Sequence, residues 1–166
     1  VFTATLTGEE TVSVNAIIFG SIQKVQVPYT FDIGFFVDCD KAVCAAEGNT
    51  VVLYMPEPYA DFYKLSVDRA QVKVSDFLMP LTSERYAEIL KQIEQKLYDE
   101  TSAKQEYIDS AWKANEKNMK LLFGSFLNNL QATEQGKDLT CSFKVVRGLP
   151  ELTLAPGETA AATTAP

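Results

Sequence analysis

The sequence predicts an α+β fold: a curved, mostly antiparallel β-sheet packed against two amphipathic α-helices. Three observations predict it. Residues 1–74 fall into short runs rich in β-branched and aromatic residues, separated by Gly and Pro. The stretch Pro80 to Leu130 carries apolar residues at steps of three and four. A last β-type run, Leu139 to Val146, follows it. Each helical stripe has to be buried, and the strands before it are the available partner.

Val1 to Leu6 alternates weakly, and Gly8-Glu9-Glu10 reads as a turn. Thr11 to Phe19 holds Val12, Val14, Ile17 and Ile18 and reads as a strand. Gly20-Ser21 makes a turn into Ile22 to Val27, which predicts a hairpin, and Pro28 is expected to end or shift the pairing because it has no N–H to donate. Tyr29 to Asp38 is a further strand, in which Gly34 suggests a bulge or a close backbone approach. Gly48-Asn49 closes a turn, and the apolar run Val51 to Met55 predicts a central strand ended by Pro56-Glu57-Pro58. Ala70, Val72 and Val74 alternate with Gln71 and Lys73 and predict another strand.

Thr82 or Ser83 offers a hydroxyl to cap the first helix, and Glu84 and Glu88 suit the positive end of its dipole. Tyr86, Ile89, Leu90, Ile93 and Leu97 form its stripe. The polar run Tyr98 to Lys104 is either a tight turn or a continuation of the helix. From Tyr107, the residues Ile108, Ala111, Trp112, Ala114, Met119, Leu122, Phe123, Phe126, Leu127 and Leu130 mark one broad face. Gly124 within it would be explained by a close helix–sheet contact or by a local break. Gly136 is a reasonable stop. Residues 1–150 are read as a single domain and residues 151–166, rich in Ala, Thr and Pro, as a flexible tail.

Charge and composition narrow the function classes. The net charge is −7 with no basic block, which disfavours nucleic acid, since phosphate contacts need clustered Lys and Arg. The chain has no His. That removes Ser–His and Cys–His nucleophile pairs, and His-based zinc or iron sites. No metal or cofactor is expected. No apolar run is long enough to span a bilayer, and no signal peptide is read within these residues.

Four groups of residues are candidate sites. Cys39 and Cys44 lie in a turn-rich segment and could form a small disulfide, which leaves Cys141 as the odd thiol, a core residue of the last strand; the alternative is three reduced, partly buried cysteines. Asp32, Asp38 and Asp40 bracket a strand end, but the Gly and the closing Glu of a calcium loop are missing, so a solvated turn is the plainer reading. Tyr59, Phe62 and Tyr63 follow Pro56-Glu57-Pro58 and could bind a peptide or sugar by stacking, or could simply pack under neighbouring loops. Glu84, Glu88 and Glu94 lie near one helix surface, where interleaved Lys suggests a solvated face in place of a paired-carboxylate cleft.

The order of motifs carries a family resemblance. Phe31-Asp32-Ile33-Gly34 precedes a strand ending in Met55-Pro56-Glu57-Pro58. Ala70 to Val74 follows, then Met79-Pro80-Leu81-Thr82-Ser83-Glu84 and two helices with Ala111 and Leu121-Leu122, and Leu139 to Val146 closes the series. From Phe31 to Val146 this resembles the bacterial family called domain of unknown function 4230. It departs from that family's Gly-Ile-Asp order at Phe31 to Gly34. The resemblance implies an extracytoplasmic domain of the cell envelope, held to the membrane by an N-terminal anchor preceding Val1, and it brings no catalytic residue or cofactor. An exported setting would also favour the Cys39–Cys44 disulfide.

The function expected on these grounds is a non-enzymatic, envelope-associated binding or scaffolding module with a protein or small-molecule partner. The alternatives are a small-ligand or peptide-binding domain using Tyr59, Phe62 and Tyr63, and a hydrolase built on carboxylates.

Overall fold

A computed structural model describes residues 1–15, 22–75, 81–133 and 142–150. Among these, seven strands form two sheets and two helices pack against them, an α+β architecture. The large sheet holds β1 (Phe2–Asn15), β2 (Ile22–Phe36) and β5 (Tyr59–Ser66) in the order β1-β2-β5, with β6 (Lys73–Val74) also paired to β2. The small sheet holds β3 (Val43–Glu47), β4 (Thr50–Met55) and β7 (Ser142–Arg147) in the order β3-β4-β7. Its β4–β7 pair is parallel, and every other pair is antiparallel.

The first hairpin is longer than the sequence suggests. β1 runs unbroken through Gly8-Glu9-Glu10, which the sequence marks as a turn. Gly8 lies opposite Tyr29, whose ring crosses the glycine: a Cβ there would meet the phenol oxygen at 2.8 Å. The glycine thus makes room for an aromatic ring on the neighbouring strand, and no bend follows. Pro28 likewise does not end β2. It pairs with Glu9 on one side, while on the other it falls in the gap between β6, which covers Val25 and Gln26, and β5, whose last residue, Ser66, lies opposite Thr30. A residue without an N–H is tolerated where one edge of the strand is open.

The expected strand over Ala70 to Val74 shrinks to Lys73–Val74. Asp68 accepts a hydrogen bond from the Ala70 N–H at 3.0 Å and starts a 3-10 turn at Arg69–Gln71. Asp38 does the same for the turn Cys39–Lys41, accepting from the Asp40 N–H at 3.2 Å. Val37-Asp38 and Val67-Asp68 are therefore two uses of one device, a short Asp-capped turn leaving a strand of the large sheet.

Helix α1 (Ser83–Ser102) opens on Thr82, whose hydroxyl accepts from the Arg85 N–H at 3.3 Å. Ile89, Ile93, Leu97 and Thr101 form its buried row. The row sits on Phe31, Ile33 and Phe35 of β2, all fully buried, with Ala4, Val25, Val27 and Ala111. The helix continues to Ser102 before the break that leads to α2 (Gln105–Thr133). The first half of α2 shares this core through Ala111. Trp112, Met119 and Phe123 then form a second core with Leu53, Met55, Val145 and Phe143, and the rings of Phe123 and Phe143 stack 5.0 Å apart.

Leu122, which the sequence places on the apolar face of α2, is 64% exposed, as is its neighbour Leu121 at 61%. Asn115 lies in the buried row and donates its amide to the Ala111 carbonyl at 3.0 Å, so it needs no partner outside its helix. Gly124 neither breaks the helix nor admits a close neighbour, since a Cβ there would meet nothing within 4 Å. Gly136, Cys141, the turn at Gly20-Ser21 and residues 151–166 lie outside the described residues.

Candidate functional site

The register of β2 and β5 divides the aromatic segment between two faces. Phe31, Ile33 and Phe35 point into the core, and Leu65, Tyr63 and Ala60 lie opposite them. Gly34 and Phe36 therefore point the other way, together with their partners Phe62 and Tyr59. The pairing shifts between Gly34 and Phe35, so Asp61 is an extra residue on β5 and Tyr59 and Phe62 share a face despite being three apart. Both expectations for Gly34 hold. It sits at the bulge, and a Cβ there would lie 3.3 Å from the Phe36 ring and 3.5 Å from Phe62.

The outcome is an aromatic platform on the outer face of the large sheet: Phe36, Tyr59 and Phe62 around a glycine floor. Tyr59 is 48% and Phe62 52% exposed. The helices pack on the opposite face, and no described element covers this one. Polar groups border it. Thr3 lies opposite Gly34, and Thr5 donates to Asp32 at 2.6 Å. Lys64 pairs with Asp32 across the strands. At the far end Lys41 and Asp38 are 3.0 Å apart, and the Lys41 hydrogen bond holds the Asp38 carboxyl below the usual range.

Tyr63 is not part of this platform. Its ring lies 4.7 Å from that of Tyr98 on α1 and 6.2 Å from Phe31, so it closes the edge of the core. The three aromatics expected to act together thus do two separate jobs. Residue spacing alone suggested one patch; the bulge at Gly34 decides otherwise.

The remaining candidates are dispersed. Cys39 and Cys44 are free, exposed thiols, in place of the disulfide the spacing allowed. Cys39 lies in the 3-10 turn with its sulfur 3.7 Å from the Val37 carbonyl, whereas Cys44 is on β3 opposite Leu53. Asp32, Asp38 and Asp40 do not converge: Asp32 bonds Thr5 and Asp38 caps its turn, and no cluster able to hold a metal occurs among the described residues. Glu84, Glu88 and Glu94 lie along α1, and Glu88 borders an open groove of about 290 Å³ with Arg85, Gln92 and residues 12–14. Besides Asp38, Asp109 has a lowered carboxyl pKa. Hydrogen bonds from Arg147 and then Gln105 hold it down.

That arginine belongs to a group the sequence reading missed. Arg147 on β7 bonds Glu57, in the Pro-Glu-Pro exit of β4, and Asp109 on α2, and lies 5.8 Å over the Trp112 ring. It is a clamp between the small sheet and α2. Nothing local marks it, because Glu57 and Arg147 are 90 positions apart. No family model, curated protein or solved structure matches the chain. The resemblance to domain of unknown function 4230 therefore rests on the motifs alone.

Proposed function

We propose that this protein is a non-catalytic binding module of the cell envelope, and that its recognition surface is the platform of Phe36, Tyr59 and Phe62. The envelope setting rests on the motif resemblance. The platform rests on one observation: Tyr59 and Phe62 are each about half exposed on a sheet face that no described element covers. An exposed ring left open in this way gains by being covered, and Gly34 beneath lets the Phe36 and Phe62 rings lie close against the strand. The partner proposed is a protein segment with an aromatic or branched apolar anchor.

Selection of binding peptides from a random library, followed by affinity measurement on purified protein, tests this. Peptides with an apolar anchor should perturb the amides of Gly34, Phe36 and Phe62, and Phe62→Ser should weaken them at least tenfold. Peptides that map elsewhere, or that bind Phe62→Ser equally well, would refute the site. Turnover abolished by one Asp or Glu substitution would refute the non-catalytic reading.

A saccharide is the second reading, favoured by Thr3, Thr5, Asp32 and Lys64 beside the rings, since sugars stack on aromatics while hydrogen-bonding at their rims. Binding on a glycan array that Phe62→Ser removes would select it over the peptide.

A further inference from the structure

A second group on the outer face of the large sheet has a different chemistry. β6 is two residues long, yet it is fixed firmly to β2. Val74 pairs with Val25 and Lys73 with Gln26. Beyond them the Ser75 N–H donates to the Lys24 carbonyl at 2.9 Å, and the Lys24 N–H donates to the Ser75 hydroxyl oxygen at 2.9 Å. Val25, fully buried, points into the core, so Lys24 and Gln26 on either side of it point out, and Lys73 projects beside Gln26. These residues with Val74 and Ser75 line a dent of about 180 Å³.

We propose that this dent binds a phosphate group. Its lining is a set of donors. Lys24 and Lys73 bring two ammonium groups and Gln26 an amide. The Ser75 oxygen already accepts from Lys24 N–H, which leaves its own proton free to donate. No carboxylate lines the dent among the described residues, although the whole chain carries −7. Lys24 and Lys73, like most described lysines, have no ion-pair partner among the described residues, so no carboxylate has to be displaced for an anion to bind. Lys24 and Lys73 stand on adjacent paired strands and both line the dent, so an anion seated in it can be reached from both strands. A phosphoryl group, with about 1.5 to 2 negative charges at neutral pH, matches both, whereas a carboxylate balances only one. Lysine serves such a group as a point charge, and the dent has room for the group with some of its hydration water.

Amide-resolved NMR titration at low salt tests the proposal, with sodium phosphate, glycerol 3-phosphate and sodium acetate as probes. Vesicles of phosphatidic acid in phosphatidylcholine form a parallel arm, read by co-sedimentation. Phosphate or glycerol phosphate should give saturable shifts centred on residues 24–26 and 73–75, acetate should not, and Lys24→Gln and Lys73→Gln should each weaken binding at least tenfold. Both lysines are exposed, so an unchanged circular dichroism spectrum is expected and separates lost binding from lost folding. Saturation by the soluble probes assigns a free phosphate or phosphomonoester. Binding of the vesicles alone, lost in both variants, assigns a lipid headgroup. Three results would overturn the proposal: linear shifts spread over the lysines of α2, equal binding by wild type and variants, or no binding of any phosphate probe.

Discussion

The Arg147 Nε donates to both carboxylate oxygens of Glu57, at 2.9 Å each, and its Nη2 lies 2.8 Å from Glu57 Oε2. The same guanidinium reaches Asp109 through Nη1 at 2.6 Å. One side chain thereby joins β7, the exit of β4 and the first half of α2. Exposed ion pairs contribute little singly, but a fork shared between two carboxylates and seated over Trp112 is held in one geometry. Arg147→Lys keeps the charge and loses the fork, so it should cost about 1 kcal/mol of stability, read from the urea midpoint. A lysine variant as stable as wild type would show that the clamp is idle.

Acid should open this clamp. Asp109 has its pKa lowered, first by the hydrogen bond from Arg147 and then by that from Gln105. A carboxyl depressed in the folded state contributes stability that is present above its unfolded value, about 3.9, and is lost as pH falls through the folded value. The urea midpoints of wild type and Asp109→Asn should therefore differ at pH 6 and converge as pH drops below about 4. A difference that persists at pH 2 would mean that the carboxylate charge is not what Asp109 contributes.

The parts of this fold legible in the sequence are those set by local periodicity. Ile89, Ile93 and Leu97 marked the buried row of α1, Thr82 its cap, and Val51 to Met55 the central strand of the small sheet. Gly34 announced its bulge because a glycine amid aromatics has few other uses in a strand. What failed depended on the neighbouring strand. Gly8 looked like a turn because its reason for being glycine, the Tyr29 ring, comes 21 positions later. Pro28 looked like a strand end because the open edge beside it is set by β5 and β6. The candidate platform was half legible: Tyr59 and Phe62 were in view, but Phe36 and the exclusion of Tyr63 followed only from register.

The position of Pro28 yields a paired test. Pro28→Thr restores a backbone donor on an edge facing no strand, so stability should change by less than about 1 kcal/mol. Thr30 pairs with Thr7 on one side and Ser66 on the other. Whichever way its N–H points, a strand lies there, and Thr30→Pro should cost about 3 kcal/mol or more. Thermal melts of the two variants decide it, and equal losses would contradict the open edge.

Phe35 and Phe62 lie on opposite faces of the large sheet, and the two should respond to truncation in opposite ways. Phe35 is fully buried against Phe2 and Tyr107, whose rings lie 6.3 Å and 6.2 Å away. Phe35→Ala removes that ring from a filled core and should cost roughly 3 to 5 kcal/mol. Phe62 is 52% exposed, and its loss uncovers mainly the floor at Gly34, so Phe62→Ala should change stability by less than about 1 kcal/mol. Chemical denaturation measures both. A Phe62→Ala variant that unfolds as readily as Phe35→Ala would make the platform a part of the core, and the exposed rings would then need no partner to explain them.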